Sequence, residues 1–347
     1  MGYDVTMKIG VVGASGYSGG EILRLLASHS QFRPEYISAG SNAGELITSI
    51  HPHLLSYSGK RFSATEIEEI NACDLVFLAL PHGESAKIVA GINEKVKVVD
   101  LGADFRLHSS SKWSQYYGGE HAGTWTYGLP ELKGYREKIS ASSRIANPGC
   151  YATSIQIGIA PALSKKLINA SDIVVVAASG TTGAGRSAKV NLSGSEVMNT
   201  LTSYKFGGVH QHTPEIEENL SFINNEDVRL AFTPVLAPMP RGILSTITAK
   251  LRDGTSTKQA REIFEEYYAD EQFVTLLPEE QLPRTSSVVG SNSVHLQVAV
   301  DDHTQRLVVS AAIDNLGKGA ASQAIQNANL MYGLPEEESL SAMGISG

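Results

Sequence analysis

Lys8-Ile9-Gly10-Val11-Val12-Gly13-Ala14-Ser15-Gly16-Tyr17-Ser18-Gly19 passes from an apolar strand candidate through a glycine-rich turn, and residues 21–28 follow with Ile22, Leu25 and Leu26 at helical spacing. A strand, a tight glycine turn and a helix start in that order let backbone N–H groups approach a pyrophosphate at the positive end of the helix. The spacing is GxxGxxG, not GxGxxG, so an ordinary strand-to-helix turn without a ligand is the competing reading. Downstream, residues 74–80 (DLVFLAL) and 96–101 (VKVVDL) are further buried-strand candidates, with a helix candidate over 83–92 between them. Strands alternating with helices predict a parallel sheet with right-handed crossovers, a Rossmann-type doubly wound α/β layer.

The texture changes near residue 150. A helix candidate over 153–166 precedes apolar runs at 172–178, 228–234, 243–251, 293–300 and 307–313, several of them alternating apolar and polar positions. That pattern predicts a second, α+β domain with a mostly antiparallel sheet and one solvated face. Residues 319–332 read as a closing helix, and 102–146, richer in Ser, Tyr and Gly, as loops crossing between domains. A length of 347 residues agrees with two domains.

A net charge of −8 without a Lys/Arg cluster argues against nucleic acid. The absence of any apolar run of membrane-spanning length argues against a membrane span. The first residues read as a short leader, not a secretion signal. Two cysteines, Cys73 and Cys150, make no disulfide framework and fit a reducing cytoplasm.

Asn147-Pro148-Gly149-Cys150-Tyr151 puts Cys150 after a Pro-Gly break at a helix start, where a thiol pKa is lowered and backbone N–H groups are free for an oxyanion. A structural cysteine competes with that reading. Cys73 leads into a core strand and reads as a buried, inert thiol. A nucleophilic thiol needs a proton partner. Among ten histidines, His210 and His212 in Val209-His210-Gln211-His212-Thr213-Pro214-Glu215 have the most suggestive setting, with an acid close by. Alternating histidines also suit a metal, but no second Cys/His cluster supports one, so no metal is expected. His29, His108 and His303 lie in polar stretches and read as solvent-exposed, whereas His82 is a candidate neighbour of the cofactor. The second strand ends near Ser38 to Asn42 without an acidic residue, and small hydroxyl donors there favour a 2′-phosphate, hence NADP over NAD.

GASGYSGGE (13–21), LALPHG (78–83), DLGADFRL (100–107), YGLPE (127–131), NPGCY (147–151), SGTTGAGR (179–186), HQHTPEI (210–216) and AIDNLGKGAA (312–321) occur in one order over nearly the whole chain. Together they resemble the N-acetyl-gamma-glutamyl-phosphate reductase family, relatives of aspartate-semialdehyde dehydrogenase. The resemblance implies Cys150 as the nucleophile and His210 as the general acid/base, with His212 in reserve. Gly13, Ser15, Gly16, Tyr17 and Ser18 would hold the pyrophosphate, with Ser38 and Ser41 near the 2′-phosphate and Asn315 near the nicotinamide. Arg106 and Arg241 would meet substrate anions, with surface or domain-pairing roles as the alternatives; Arg186 and Tyr204 are weaker candidates.

The implied reaction is NADPH-dependent reduction of an acyl phosphate to a semialdehyde through a thioester, on a small molecule in arginine biosynthesis, by a cytoplasmic homotetramer. Residues 1–149 with about 319–347 would form the NADP-binding domain, and 150–318 the catalytic and oligomerisation domain. The competing functions are the same chemistry on a carrier-linked aminoadipyl or aspartyl phosphate, a Cys/His hydrolase or acyltransferase without a redox step, and a nucleotide-sensing module. The non-redox enzyme leaves the glycine turn without a purpose, and the sensor leaves Cys150 unexplained.

Overall fold

Short apolar runs become strands where both faces are covered. In the computed structural model, which describes residues 6–345, the first sheet contains β1 (Met7–Val12), β2 (Phe32–Ser38), β3 (Leu75–Leu78), β4 (Lys97–Asp100), β5 (Thr126–Tyr127) and β6 (Arg144–Ala146). They are ordered β2-β1-β3-β4-β6-β5, and every adjacent pair is parallel. Every residue of β3 is buried, which is why it reads as an unbroken apolar run without alternation. The order reverses across β1, so a crevice opens above the carboxyl ends of β1 and β3.

The second sheet contains β7 (Ile168–Ser179), β8 (Thr202–Ser203), β9 (Leu230–Leu236), β10 (Ile243–Leu251), β11 (Val274–Leu276), β12 (Val294–Asp301) and β13 (Arg306–Ile313). Its order is β11-β12-β13-β10-β7-β9-β8. Only β7–β9 and β11–β12 pair in parallel, so the sheet is mostly antiparallel. Along β10, Ile243, Ser245, Ile247, Ala249 and Leu251 are buried while Thr246 and Lys250 face solvent. The helix Cys150–Ser164 packs against the inner face and is buried from Tyr151 to Leu163.

Two expectations fail for reasons of distance in sequence. Residues 102–146 are not merely loops, because they carry β5 and β6 and the helices Ser110–Tyr116 and Tyr135–Ser140, which extend the parallel sheet. Strands of two and three residues are too short to leave a periodic signal. His29 is not exposed but 1% accessible, stacked on Phe32 and bonded through Nε2 to Asn329 Oδ1 at 2.9 Å. Its partner lies on the C-terminal helix Ser322–Met331, which returns to pack against the helix Tyr17–Leu26 of the parallel layer. His108 and His303 are exposed, and Cys73 is buried, with burial pushing its thiol up to about 11.

The returning helix is polar in sequence yet wholly buried, and its amides are satisfied by the first layer. Asn327 donates to Gly128 O and Asn147 Oδ1. Before it, the π-turn Gly317–Ala321 holds Lys318, whose Nζ donates to Glu131 Oε1 at 2.5 Å and Gln326 Oε1 at 2.7 Å with both partners of the ion pair buried. Stranding one charge of such a pair costs about 3–5 kcal/mol. Glu131→Ala is therefore expected to lower unfolding free energy by about that much in urea titration. Adding Lys318→Met should restore a large part of the loss; no recovery in the double variant would remove the ion pair as the cause.

Candidate active site

At the crevice, the chain leaves β1 through Gly13 at φ +80, where a Cβ would come within 2.4 Å of Ala79 O. Only glycine fits that close approach. The helix Tyr17–Leu26 begins after Gly16 with no side-chain cap and no acidic residue in its first turn. Uncapped N–H groups at a helix start suit an anion. Gly13, Ser15, Gly16, Tyr17 and Ser18 are all partly accessible along this lip. Ser41 is exposed beyond β2, but Ser38 is fully buried and its Oγ accepts from Thr65 Oγ1, so it is withdrawn from any ligand. Arg61, which the sequence did not single out, donates to Gly44 O beside that loop and brings positive charge there.

Across the crevice, Cys150 opens its helix behind Gly149. The Gly149 N–H donates to Glu215 Oε1 at 2.8 Å, and the same carboxylate accepts from Tyr127 OH at 2.7 Å and from Arg106 Nη1 at 3.2 Å. The His212 ring lies flat against Gly149, where a Cβ would stand 2.4 Å from Nε2. On the other side Gly319 approaches so closely that its own Cβ would fall 2.8 Å from Cys150 Cβ. The cysteine faces a cleft of about 460 Å³ that it shares with His82, Tyr151, Tyr204, His210 and His212.

The helix start lowers the thiol pKa by less than burial raises it. Burial pushes it up to about 11 and outweighs the Tyr151 N–H and Arg106; Glu215 adds to the rise. Burial likewise pulls His210 down to about 2 and His212 well below the ordinary imidazole value, with His212 and Arg106 respectively as the next causes. All three groups are thus neutral near pH 7. His210 Nδ1 accepts from the His212 N–H at 3.0 Å, which assigns its ring proton to Nε2 and makes it a donor toward the cleft. The buried Nδ1 of His212 has no partner among the described residues, and its ring lies against Gly149. Both imidazoles line the cleft into which Cys150 opens.

The arginines are engaged elsewhere. Arg106 is buried, with its nitrogens bonded to Asn147 O, Leu101 O and Glu215, and it supports the cysteine loop instead of facing the cleft. Arg241 pairs with both Glu21, on the helix Tyr17–Leu26, and Asp314, which is the domain-pairing alternative. Asn315 is bonded within the second domain: its Oδ1 accepts from Gly242 N and its Nδ2 donates to Thr182 Oγ1. Tyr204 lines the cleft and donates to Tyr151 OH. The cations in the cleft are Lys189 and Lys205, which sequence reading missed because nothing local separates a cleft lysine from a surface one. Among the described residues no group of three or more His, Cys, Asp or Glu could hold a metal.

Residues 8–142 match the family described as semialdehyde dehydrogenase, NAD binding domain, and residues 150–315 its dimerisation domain. A protein from Acidothermus cellulolyticus named N-acetyl-gamma-glutamyl-phosphate reductase is 53% identical, covering 98% of this chain and 99% of its own. One of the same name from Frankia casuarinae is 52% identical, with 98% and 99% covered. The chain belongs to the N-acetyl-gamma-glutamyl-phosphate reductase family. It is an oxidoreductase with a nicotinamide-dinucleotide domain. Its fold is shared with aspartate semialdehyde dehydrogenase II from Vibrio cholerae, at TM-score 0.70 and 16% identity over 94% of this chain and 98% of that one. The Candida albicans enzyme solved with NADP gives TM-score 0.70 at 15% identity, with 94% and 99% covered.

Because burial raises the thiol pKa, alkylation of Cys150 by iodoacetamide should be slow at pH 7 and still climb between pH 8 and about 10, when followed site by site by mass spectrometry. A rate that levels off below pH 8 would contradict this environment.

Proposed function

We propose that this chain reduces N-acetyl-gamma-glutamyl phosphate to N-acetyl-glutamate semialdehyde with NADPH, through a thioester on Cys150. The observation that carries it is the placement of Cys150 at a helix start, opening into the cleft that holds both histidines. The names of the full-length relatives favour this acid over an aspartyl or carrier-linked one.

His212 Nε2 takes the thiol proton as sulfur attacks the acyl carbon; the C–S bond forms, the C–O bond to phosphate breaks, and phosphate leaves. Lys189 and Lys205 supply positive charge for the phosphoryl and carboxylate groups. N–H groups of the cysteine helix and the His210 Nε2–H are placed to receive the developing oxyanion. NADPH supplies the hydride that reduces the thioester carbon. His212, protonated in the first step, returns a proton as the thiohemiacetal collapses to aldehyde and thiol.

NADP is favoured over NAD because no acid stands at the end of β2, while Ser41 and Arg61 lie beside the loop that follows it. The exposed Val174 and Val176 on β7 support assembly through the second domain, here proposed as a homotetramer built from dimers. Two free thiols support a reducing cytoplasm.

Cys150→Ser should abolish phosphate-dependent oxidation of N-acetyl-glutamate semialdehyde while NADP binding survives; near-normal turnover would exclude the covalent route. His212→Asn should reduce kcat by about 10²–10⁴-fold and His210→Asn by less. The reverse order would return the base to His210.

A further inference from the structure

The segment from Gly180 to Leu192 forms one wall of the cleft through Gly183, Ala184, Lys189, Asn191 and Leu192. It belongs to the second domain, yet it touches the first through Arg186. The Arg186 guanidinium lies over the Tyr17 ring at 4.9 Å, donates through Nη1 to Ile50 O at 2.8 Å, and places Nη2 3.5 Å from His51 Nδ1. His51 is itself bound into the dinucleotide turn. Its Nε2 meets Ala14 O at 2.9 Å, and its ring stands so close to Gly20 that a Cβ there would fall 2.4 Å from it. Arg186 therefore grips two residues of the loop that would carry the pyrophosphate, Tyr17 directly and Ala14 through His51.

We infer that Arg186 is a positioning residue that couples the two ligands: dinucleotide at Tyr17 orders the cleft wall for the acyl substrate, and substrate does the same in return. This rests on the function proposed above. The physical basis is that Arg186 has no other partner among the described residues and is solvent-exposed, so its geometry depends on the Tyr17 face and the Ile50 and His51 acceptors. A dinucleotide lying on the glycine turn fixes Tyr17, and a fixed Tyr17 face fixes the arginine. The arginine lies three residues from Lys189, so the cation that faces the substrate phosphoryl group is placed with it. Coupling of this kind is reciprocal and typically alters affinity by about 5–150-fold. A lysine keeps the charge but loses the planar stack and the fork of donors, so charge alone does not reproduce the contact.

The test uses the full-length protein in the oxidative direction, with NADP and N-acetyl-glutamate semialdehyde varied against each other at fixed phosphate, and NADP binding alone measured by calorimetry. In the natural protein each ligand should tighten the other by about fivefold or more. Arg186→Ala should bring that factor to about one, with binary NADP affinity within about twofold and kcat at saturation nearly unchanged. Arg186→Lys should behave like the alanine variant. Three results would overturn the inference: an interaction factor near one in the natural protein, an unchanged factor in Arg186→Ala, or a tenfold weaker binary NADP affinity in that variant, which would make Arg186 a direct phosphate ligand. Failure of the natural protein to bind NADP at all would instead remove the proposed function on which the coupling depends.

Discussion

The buried carboxylate of Glu215 holds the site together. It is the shared acceptor for the Gly149 N–H, the Tyr127 hydroxyl and Arg106, so one side chain joins the cysteine loop, the edge of the parallel sheet and the strand-to-loop segment after β4. A buried charge is tolerated only when it is paired and its lone pairs are filled. Here Arg106 neutralises Glu215, and two further guanidinium N–H groups donate to the carbonyls of Asn147 and Leu101. The two domains meet at this network, and the Cys150 sulfur is one residue beyond it. An arginine expected to hold substrate is bonded to the loop that carries Cys150.

The same economy of contacts accounts for the closing helix. Its amides look like surface residues in the sequence, but they fill the polar vacancies of the first layer: Asn329 meets His29, Asn327 meets Gly128 and Asn147, and Gln326 meets Glu131. Asn147 also precedes Pro148-Gly149-Cys150, so the helix touches the back of the cysteine turn. The domain that offers the dinucleotide turn and the one that offers the thiol are thus fixed to each other from two sides, by Glu215 and by this helix.

Much of this was legible locally. β10 matched its expected bounds because alternation along Ile243–Leu251 is strong, and the glycine turn was readable because Gly13 has no substitute at φ +80 beneath Ala79. The position of Cys150 at a helix start followed from Pro148 and Gly149. What could not be read locally depends on partners far away in the chain. Ser38 is occupied by Thr65, Asn315 by Gly242 and Thr182, and Arg241 by Glu21 and Asp314. A motif shows which side chains occur together in sequence; it does not show which of their atoms are already bonded.

The direction of the thiol pKa is the most instructive departure, because two correct rules oppose each other. A helix start lowers it and burial raises it, and in this slot between His212 and Gly319 burial is the larger effect. Burial acts the other way on the imidazoles, so thiol and bases are both held neutral. A neutral thiol and neutral imidazoles are a protonation state from which a concerted proton transfer can start. A permanently ionised thiolate would have needed a cation as its partner in the resting state. The cation that is closest in influence, Arg106, is instead committed to Glu215.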